Sequence, residues 1–311
     1  MKELNYERVF NVLVEETSNY VTKNHLNAMV LGISGGIDST VVAAICHEVS
    51  KQTGIPLIGR SLPIKNKSDE FDVSKLVGEA FCNEFKVYRL ERSYRAALFD
   101  ACADAGDVNI ANSYHLDELE EMPSRTPIAN GNLQARCRMM YLYDIASRYK
   151  GLVMSTDNQT EYQLGFWTIH GDVGDFDPIQ GLWKTEVYRL AEWITQAKLE
   201  HLYEMVGPFC GDDGLTHRQL VALTHSMNLT PTDGLGISNS DLDQIGAKSY
   251  YDVDRVLQTV TCKASPENDK LQDELTAELG PDVVGKIMQR RFNSRFKRLL
   301  SPIIVPRELY D

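Results

Sequence analysis

The sequence predicts an α/β protein, a doubly wound parallel sheet carrying a helical C-terminal extension. Three observations predict it. Short apolar runs alternate with helix-spaced segments over roughly the first 200 residues. A glycine turn, Ser34-Gly35-Gly36, joins the first apolar run to a helix. Beyond about residue 200 the patterning turns mostly helical.

The elements follow in order. Leu4, Val9, Phe10, Val12, Leu13, Tyr20 and Val21 recur at helical spacing, which predicts a helix over 3–23. Residues 28–33 form a first buried strand, and 39–50 the helix after it. Residues 55–62 read as strand two, 68–84 as a helix opened by Ser68 and Asp69, and 86–90 as strand three. A helix over 131–149 precedes strand four at 151–155, and Pro178–Leu182 forms a short fifth strand. The polar stretch 104–130, with the acid cluster 117–121, reads as a long loop. Thr216 and Gln219 have capping-box spacing and open a helix to Asn228. Residues 229–237 form a turn-rich connection, and further helices fill 250–300. The expected organisation is one domain over 1–311, with a nucleotide-binding core at about 25–200 and an extension at about 200–311 packed on it.

Composition narrows the class. The 311 residues carry 32 Lys and Arg against 44 Asp and Glu, a net charge of −12. Hydrophobic residues make up 43%, which excludes wholesale disorder. The acidic balance argues against sequence-independent nucleic-acid binding, which depends on neutralising phosphates. One basic stretch, Lys286 to Arg298, reads as a solvated helical face on charge alone. Six scattered cysteines show no zinc spacing and predict free thiols in a reducing compartment. With no signal-peptide pattern and no membrane-length apolar run, the expected setting is cytoplasmic, with no membrane partner.

The chemistry is concentrated at strand ends, the ligand edge of such a sheet. Gly32-Ile33-Ser34-Gly35-Gly36-Ile37-Asp38-Ser39 lies between a strand and a helix. Adjacent glycines let backbone N–H groups approach an anion, and Ser34 and Ser39 add hydroxyls. The following helix points its positive end at the same place. These features make a pyrophosphate cradle. Asp38 would repel phosphates unless a magnesium ion lay between them. No Walker lysine and no GxGxxG fingerprint is present.

SGGIDS resembles the PP-loop of the ATP pyrophosphatases, and Gly131-Asn132-Leu-Gln-Ala135-Arg136-Cys-Arg138-Met139 resembles a helix of the NAD synthetases within that superfamily. Thr156-Asp-Asn-Gln-Thr-Glu161 and Gly165-Phe-Trp-Thr168…Gly171-Asp172 are similar to a third segment of the same family. The resemblance implies a Rossmann-like PP-loop fold and an ATP site at Gly32, Ile33, Ser34, Gly35, Gly36, Asp38, Ser39, Thr156 and Lys184. It implies magnesium on Asp38 and Glu161, and a lysine, Lys184, on the ATP phosphates. Asn132, Arg136, Asp175, Phe296 and Lys297 are the implied contacts to deamido-NAD, and Asp172 is implied to position or deprotonate ammonium. Leu235–Ser238 with Asp241 and Asp243, and Phe296-Lys-Arg298 with Pro302, are weaker matches.

Four places depart from the family pattern. Ile169 replaces a lysine, Gly234 replaces an acid, Val206–Cys210 stands where an ATP-contacting loop is expected, and Ser61 alters the segment after strand two. The implied reaction is ATP-dependent amidation of deamido-NAD, through an acyl adenylate, with release of AMP and pyrophosphate. The chain lacks room for a glutaminase beside the synthetase, so free ammonia or a separate ammonia source is expected, and the family implies a homodimer. Nicotinate mononucleotide as substrate, another PP-loop adenylating enzyme, and a non-catalytic ATP-binding sensor are the alternatives. A closing loop, 104–130 or 200–234, is expected to shield the adenylate.

Overall fold

The computed structural model describes residues 4–65, 68–205, 215–230, 241–261 and 265–298. Helix α1 (Tyr6–Lys23) begins at Asn5, whose side chain accepts from the Arg8 N–H. Strand β1 (Met29–Gly32) leads into α2 (Ile37–Thr53), and β2 (Leu57–Ser61) into α3 (Ser68–Phe81). Strand β3 (Glu84–Val87) is followed by α4 (Glu91–Asp104), α5 (Leu116–Glu120) and α6 (Pro127–Tyr149). Strand β4 (Leu152–Val153) precedes α7 (Gln159–Leu164) and α8 (Lys184–Met205). Then come α9 (Leu215–Asn228), α10 (Asp241–Ile245), α11 (Tyr250–Thr261), α12 (Pro266–Leu279), α13 (Pro281–Asn293) and a 3-10 turn, Arg295–Arg298.

The sheet is parallel with strand order β3-β2-β1-β4. Val30 faces Ile58 on one side and Val153 on the other. The order reverses between β1 and β4, and a crevice opens beside their carboxyl ends. Both motif-bearing strand ends, at Ser34 and at Thr156, border it.

Helix α2 is buried on nearly all sides: Val41, Val42, Ala43, Ile45 and Cys46 are 0% exposed. It lies between the sheet and α1, α8 and α9, so its apolar pattern covers the whole circumference. The opposite face of the sheet is covered by α4 and α6 through Tyr94, Leu98, Leu142 and Ile145. A third cluster joins α7 to α11, α12 and α13 through Leu164, Val256, Leu257 and Ile287. Each such fully buried aliphatic contributes about 1.5–3 kcal/mol.

Several boundaries differ from those the sequence predicts. The fifth strand at Pro178–Leu182 is a turn, and strand pairing is a single bridge between Met154 and Phe176. Asp177 Oδ1 accepts the Ile179 N–H and Ile179 O accepts the Leu182 N–H, which curls the chain there. Strand three starts earlier, at Glu84. The expected loop 104–130 contains α5 and the start of α6, and α4 has no counterpart among the sequence-predicted elements. Lys65 pairs with Asp117 and Glu120 at 2.6 Å each, which ties the acid cluster to the segment after β2. Thr126 accepts the Ala129 N–H and Pro127 occupies the first turn, so α6 starts four residues before the predicted 131. Thr216 lies inside α9 instead of capping it. The segments at Val206–Cys210, Gly234–Ser238 and Pro302 lie outside the described residues. Four described cysteines, Cys46, Cys82, Cys102 and Cys137, are free thiols. Burial pushes the Cys82 thiol up to about 12, consistent with an inert packing role.

Candidate active site

Gly35 adopts φ +91°, a conformation that the absence of a side chain permits. A Cβ there would sit 2.8 Å from Glu70 O and 2.9 Å from Ser74 N, both backbone atoms of α3. The loop is closed by hydroxyls: Ser34 Oγ lies 3.0 Å from Ser39 Oγ, Ser39 donates to Gly36 O, and the Gly36 N–H donates to Ser34 Oγ. Gly36 opens α2 without a side-chain cap, so the first N–H groups of the helix face the crevice.

Beside the loop, at the start of α2, stands a buried charge centre. Lys184, 3% exposed, places Nζ 2.5 Å from Asp38 Oδ2 and 3.1 Å from Glu161 Oε1. Burial pulls its ammonium down, but the charges of Asp38, Glu161 and Tyr250 and the hydrogen bond to Asp38 outweigh that, and the net shift is upward. Asn158 Nδ2 donates to Asp38 Oδ1 at 2.8 Å. Asn158 also caps α7: its Oδ1 accepts the Glu161 N–H, and Glu161 Oε2 accepts the Asn158 N–H. Glu161 thus caps with one oxygen and faces the centre with the other. The backbone beneath Lys184 is fixed as well. The Lys184 N–H donates to Thr160 Oγ1, and Asp254 accepts from Thr160 Oγ1, Thr185 Oγ1 and the Thr185 N–H.

The GDVGDFDP turn separates its acids. Asp172 opens onto the cleft and accepts the Thr168 N–H at 2.7 Å. The surrounding protein pushes its carboxyl up to about 6, against the pull of that N–H and of Lys297, Arg138 and Arg136. Asp157 is raised by burial first and then by Asp172, Glu161 and Asp177. Asp175 is committed elsewhere: its oxygens accept Tyr143 Oη–H and the Val153 N–H, both at 2.9 Å. Asp177 does not line the cleft, its Oδ2 is buried with no hydrogen-bond partner among the described residues, and burial raises its carboxyl to about 7.

A carboxyl raised in the fold favours its protonated state there, so its penalty is absent at low pH. The penalty grows as pH rises from the ordinary value of 3.8 and is complete above about 7. Asp177→Asn is therefore expected to raise the melting temperature by a few degrees at pH 8, by an order-of-magnitude reading of the linkage, and to change it little at pH 4. Thermal melts of the unliganded protein check this, and equal shifts at both pH values would refute it.

The basic C-terminal stretch is not a solvated face. Arg290 Nε donates to Leu164 O, Lys297 Nζ to Gly165 O and Trp167 O, Arg298 Nη1 to Gln163 O, and Arg291 Nε to Gln163 Oε1. These cations satisfy the carbonyls where α7 ends and complement its negative pole. Gly165 supplies the left-handed C-cap at φ +66°, and a Cβ on it would strike Ser294. Helix α13 therefore holds α7, and with it Glu161.

The crevice is a cleft of about 610 Å³. It brings together Gly32, Ile33, Ser34, Gly36, Asp38, Ser39, Thr156, Glu161, Asp172, Lys184, Asn132 and Lys297 from the sequence-predicted set. Three expected substrate contacts are not among its lining residues. Arg136 is exposed and donates through Nε and Nη2 to Ile169 O, Asp175 is engaged as above, and Phe296 is 60% exposed. Arg138, two positions after Arg136, lines the cleft and donates to Leu62 O. Asn132 Oδ1 accepts from Thr168 Oγ1, so it orients the wall beside Asp172. Sequence patterns alone assign no role to Arg138, Asn158, Asp157 or Asp254. The first three stand within the quoted motifs, whereas no local pattern marks Asp254.

A glycine loop beside a buried carboxylate–lysine centre at the switch point of a parallel sheet suits an ATP-using enzyme, and similarity to known proteins places the chain among the ligases that form a carbon–nitrogen bond. The sequence profile of the NAD synthase family matches residues 9–301, and the chain belongs to that family. The NH3-dependent NAD(+) synthetase of Campylobacter jejuni is 25% identical over 302 residues, covering 97% of this chain and 99% of the relative. That of Thermoplasma acidophilum is 31% identical over 245 residues, covering 78% and 80%. Among solved structures, the NMN synthetase of Francisella tularensis superposes with a TM-score of 0.69 at 23% identity, covering 98% of this chain and 100% of the other. The Campylobacter jejuni NAD synthetase solved with nitrate gives 0.63 at 22% identity, covering 97% and 100%. At these identities the structural matches establish the shared fold. No described helix is long and apolar enough to cross a membrane.

Proposed function

We propose that this enzyme amidates deamido-NAD with ammonia at the expense of ATP, as a cytoplasmic homodimer. The observation that carries the proposal is the Asp38–Lys184–Glu161 centre set beside the glycine loop. Support for ammonia comes from the full-length relative named NH3-dependent.

The two carboxylates converge on one buried cation, Lys184 Nζ, so they already form a position suited to positive charge. Hard oxygen donors of this kind fit magnesium, which takes one or two carboxylates and leaves its other positions to phosphate and water. Asp38 and Glu161 would hold it. Bound there, it supplies charge neutralisation at the phosphate oxygens. The loop N–H groups and the start of α2 hold the phosphates, and Ser34, Ser39 and Thr156 border them. Lys184 stabilises the charge that grows on the leaving pyrophosphate as the substrate carboxylate attacks the α-phosphorus. Ammonia then attacks the acyl carbon, and AMP departs.

Asp172 takes the proton from ammonium, a role for which a carboxyl near 6 is better suited than an ordinary one. It must be ionised to act, so the rate of the ammonia-dependent step is expected to rise as pH passes through about 6. In Asp172→Asn that rise should vanish, as read from the pH profile at fixed ammonium concentration. An unchanged profile would remove Asp172 from this role.

The decisive assay is pyrophosphate release with ATP, magnesium and ammonium, comparing deamido-NAD with nicotinate mononucleotide. Turnover with deamido-NAD supports the proposal. Turnover with the mononucleotide alone keeps the mechanism and changes the substrate. Ile169 in place of the family lysine favours testing that second reading, and the structural neighbour named NMN synthetase does so too. Asp38→Ala and Glu161→Ala should each abolish release in protein that remains folded by circular dichroism. Retained activity in either would withdraw the metal assignment.

A further inference from the structure

Helix α9 reaches the phosphate loop through one side chain. Ser226 Oγ donates to Gly35 O at 2.9 Å, across 191 positions of sequence, and lies 2.8 Å from Thr40 Oγ1. Ser226 is 1% exposed and Thr40 0%. A carbonyl only accepts, so the single hydroxyl proton of Ser226 goes to Gly35. The Thr40 proton is left for Ser226 or for Gly36 O, 3.0 Å away, which Ser39 also serves at 3.0 Å.

The Gly35–Gly36 peptide has a planar trans amide, in which C=O and N–H point in opposite directions. Holding Gly35 O toward α9 therefore holds the Gly36 N–H on the other side, where it meets Ser34 Oγ at 3.2 Å at the edge of the cleft. Two glycines flank this peptide, so local sterics oppose its rotation very little. Rotated by half a turn, it would present a carbonyl oxygen to the phosphates in place of a donor.

We infer that Ser226 is a positioning residue for ATP: it locks the Gly35–Gly36 peptide in the orientation that receives phosphate. The inference rests on the reading of this loop as the ATP site. A buried hydroxyl-to-carbonyl hydrogen bond of ordinary strength corresponds to about a tenfold effect.

The test is equilibrium titration of ATP with magnesium on wild type, Ser226→Ala and Ser226→Cys, together with KM for ATP and for the acyl substrate. Ser226→Ala should weaken ATP binding about tenfold, raise KM for ATP in step, and leave KM for the acyl substrate within about twofold. Ser226→Cys keeps the volume with a weaker donor and should fall between. Wild-type ATP affinity in folded Ser226→Ala would overturn the inference, as would equal rises in both KM values. If Ser226→Ala does not fold, a folded Ser226→Cys with unaltered ATP affinity overturns it. A wild-type protein that does not bind ATP overturns the reading of the loop itself, a result distinct from any difference among the variants.

Discussion

Lys184→Met is expected to eliminate pyrophosphate release, by at least about a thousandfold, and to destabilise the protein as well. The side chain is 3% exposed and stands between two carboxylates. Methionine fills much of the same volume but leaves Asp38 and Glu161 facing each other uncompensated. Breaking a buried pair in this way costs about 3–5 kcal/mol. The raised lysine holds its charge throughout neutral pH, so this stabilisation is fully present there and is lost only as pH climbs past its folded value. Adding Asp38→Asn to Lys184→Met removes the repulsion and should return part of the stability with none of the activity. Urea unfolding and pyrophosphate release measure the two effects separately. A Lys184→Met protein with wild-type unfolding midpoint would show that the centre carries no net structural charge coupling.

Gly35→Ala is the second large effect. Alanine at φ +91° is strained, and its Cβ would press on Glu70 O and Ser74 N, which belong to the backbone of α3 and cannot rotate aside. The expected result is loss of ATP binding by more than about a hundredfold, because the loop must either shift or push α3. Gly54→Ala is the matched comparison. Gly54 also has positive φ, +73°, but no atom lies within 4 Å of where the added methyl would sit. That change should cost about 1–2 kcal/mol of stability and leave ATP affinity alone. Equal ATP affinity in Gly35→Ala and wild type would refute the close-approach argument.

Much of the site is legible in the chain. The loop Ser34–Ser39, Asp38 and Glu161 all follow from short motifs whose chemistry is local. A positive-φ turn, a helix start and a capping box are each set by a few neighbouring residues. Strands β1, β2 and β4 are legible for the same reason, since each lies in a short apolar run, whereas β3 alternates charged and apolar residues and begins two positions before the expected 86. The expected fifth strand does not form because Asp177 and Pro178 turn the chain there, and only Phe176 still bridges to Met154.

Direction is harder to read than presence. Arg136 and Arg138 are two positions apart on α6, and on a helix that places them on different faces. The motif points to Arg136, but the packing of α6 turns Arg138 into the cleft and Arg136 toward Ile169 O. The basic stretch after Lys286 gives no hint that it ends α7, because its partners are carbonyls more than a hundred residues earlier.

Sequence by itself determined the parallel α/β order, the glycine loop and the identity of the charged groups around it. Those follow from backbone freedom, helix polarity and residue chemistry within a few positions. Only the tertiary structure decided that Lys184 is buried between two carboxylates, that α13 caps α7, and that Ser226 grips Gly35 O. Each of these joins groups far apart in the chain. Their energy comes from burial and from satisfying polar groups that no local partner reaches, and both exist only once the layers have packed.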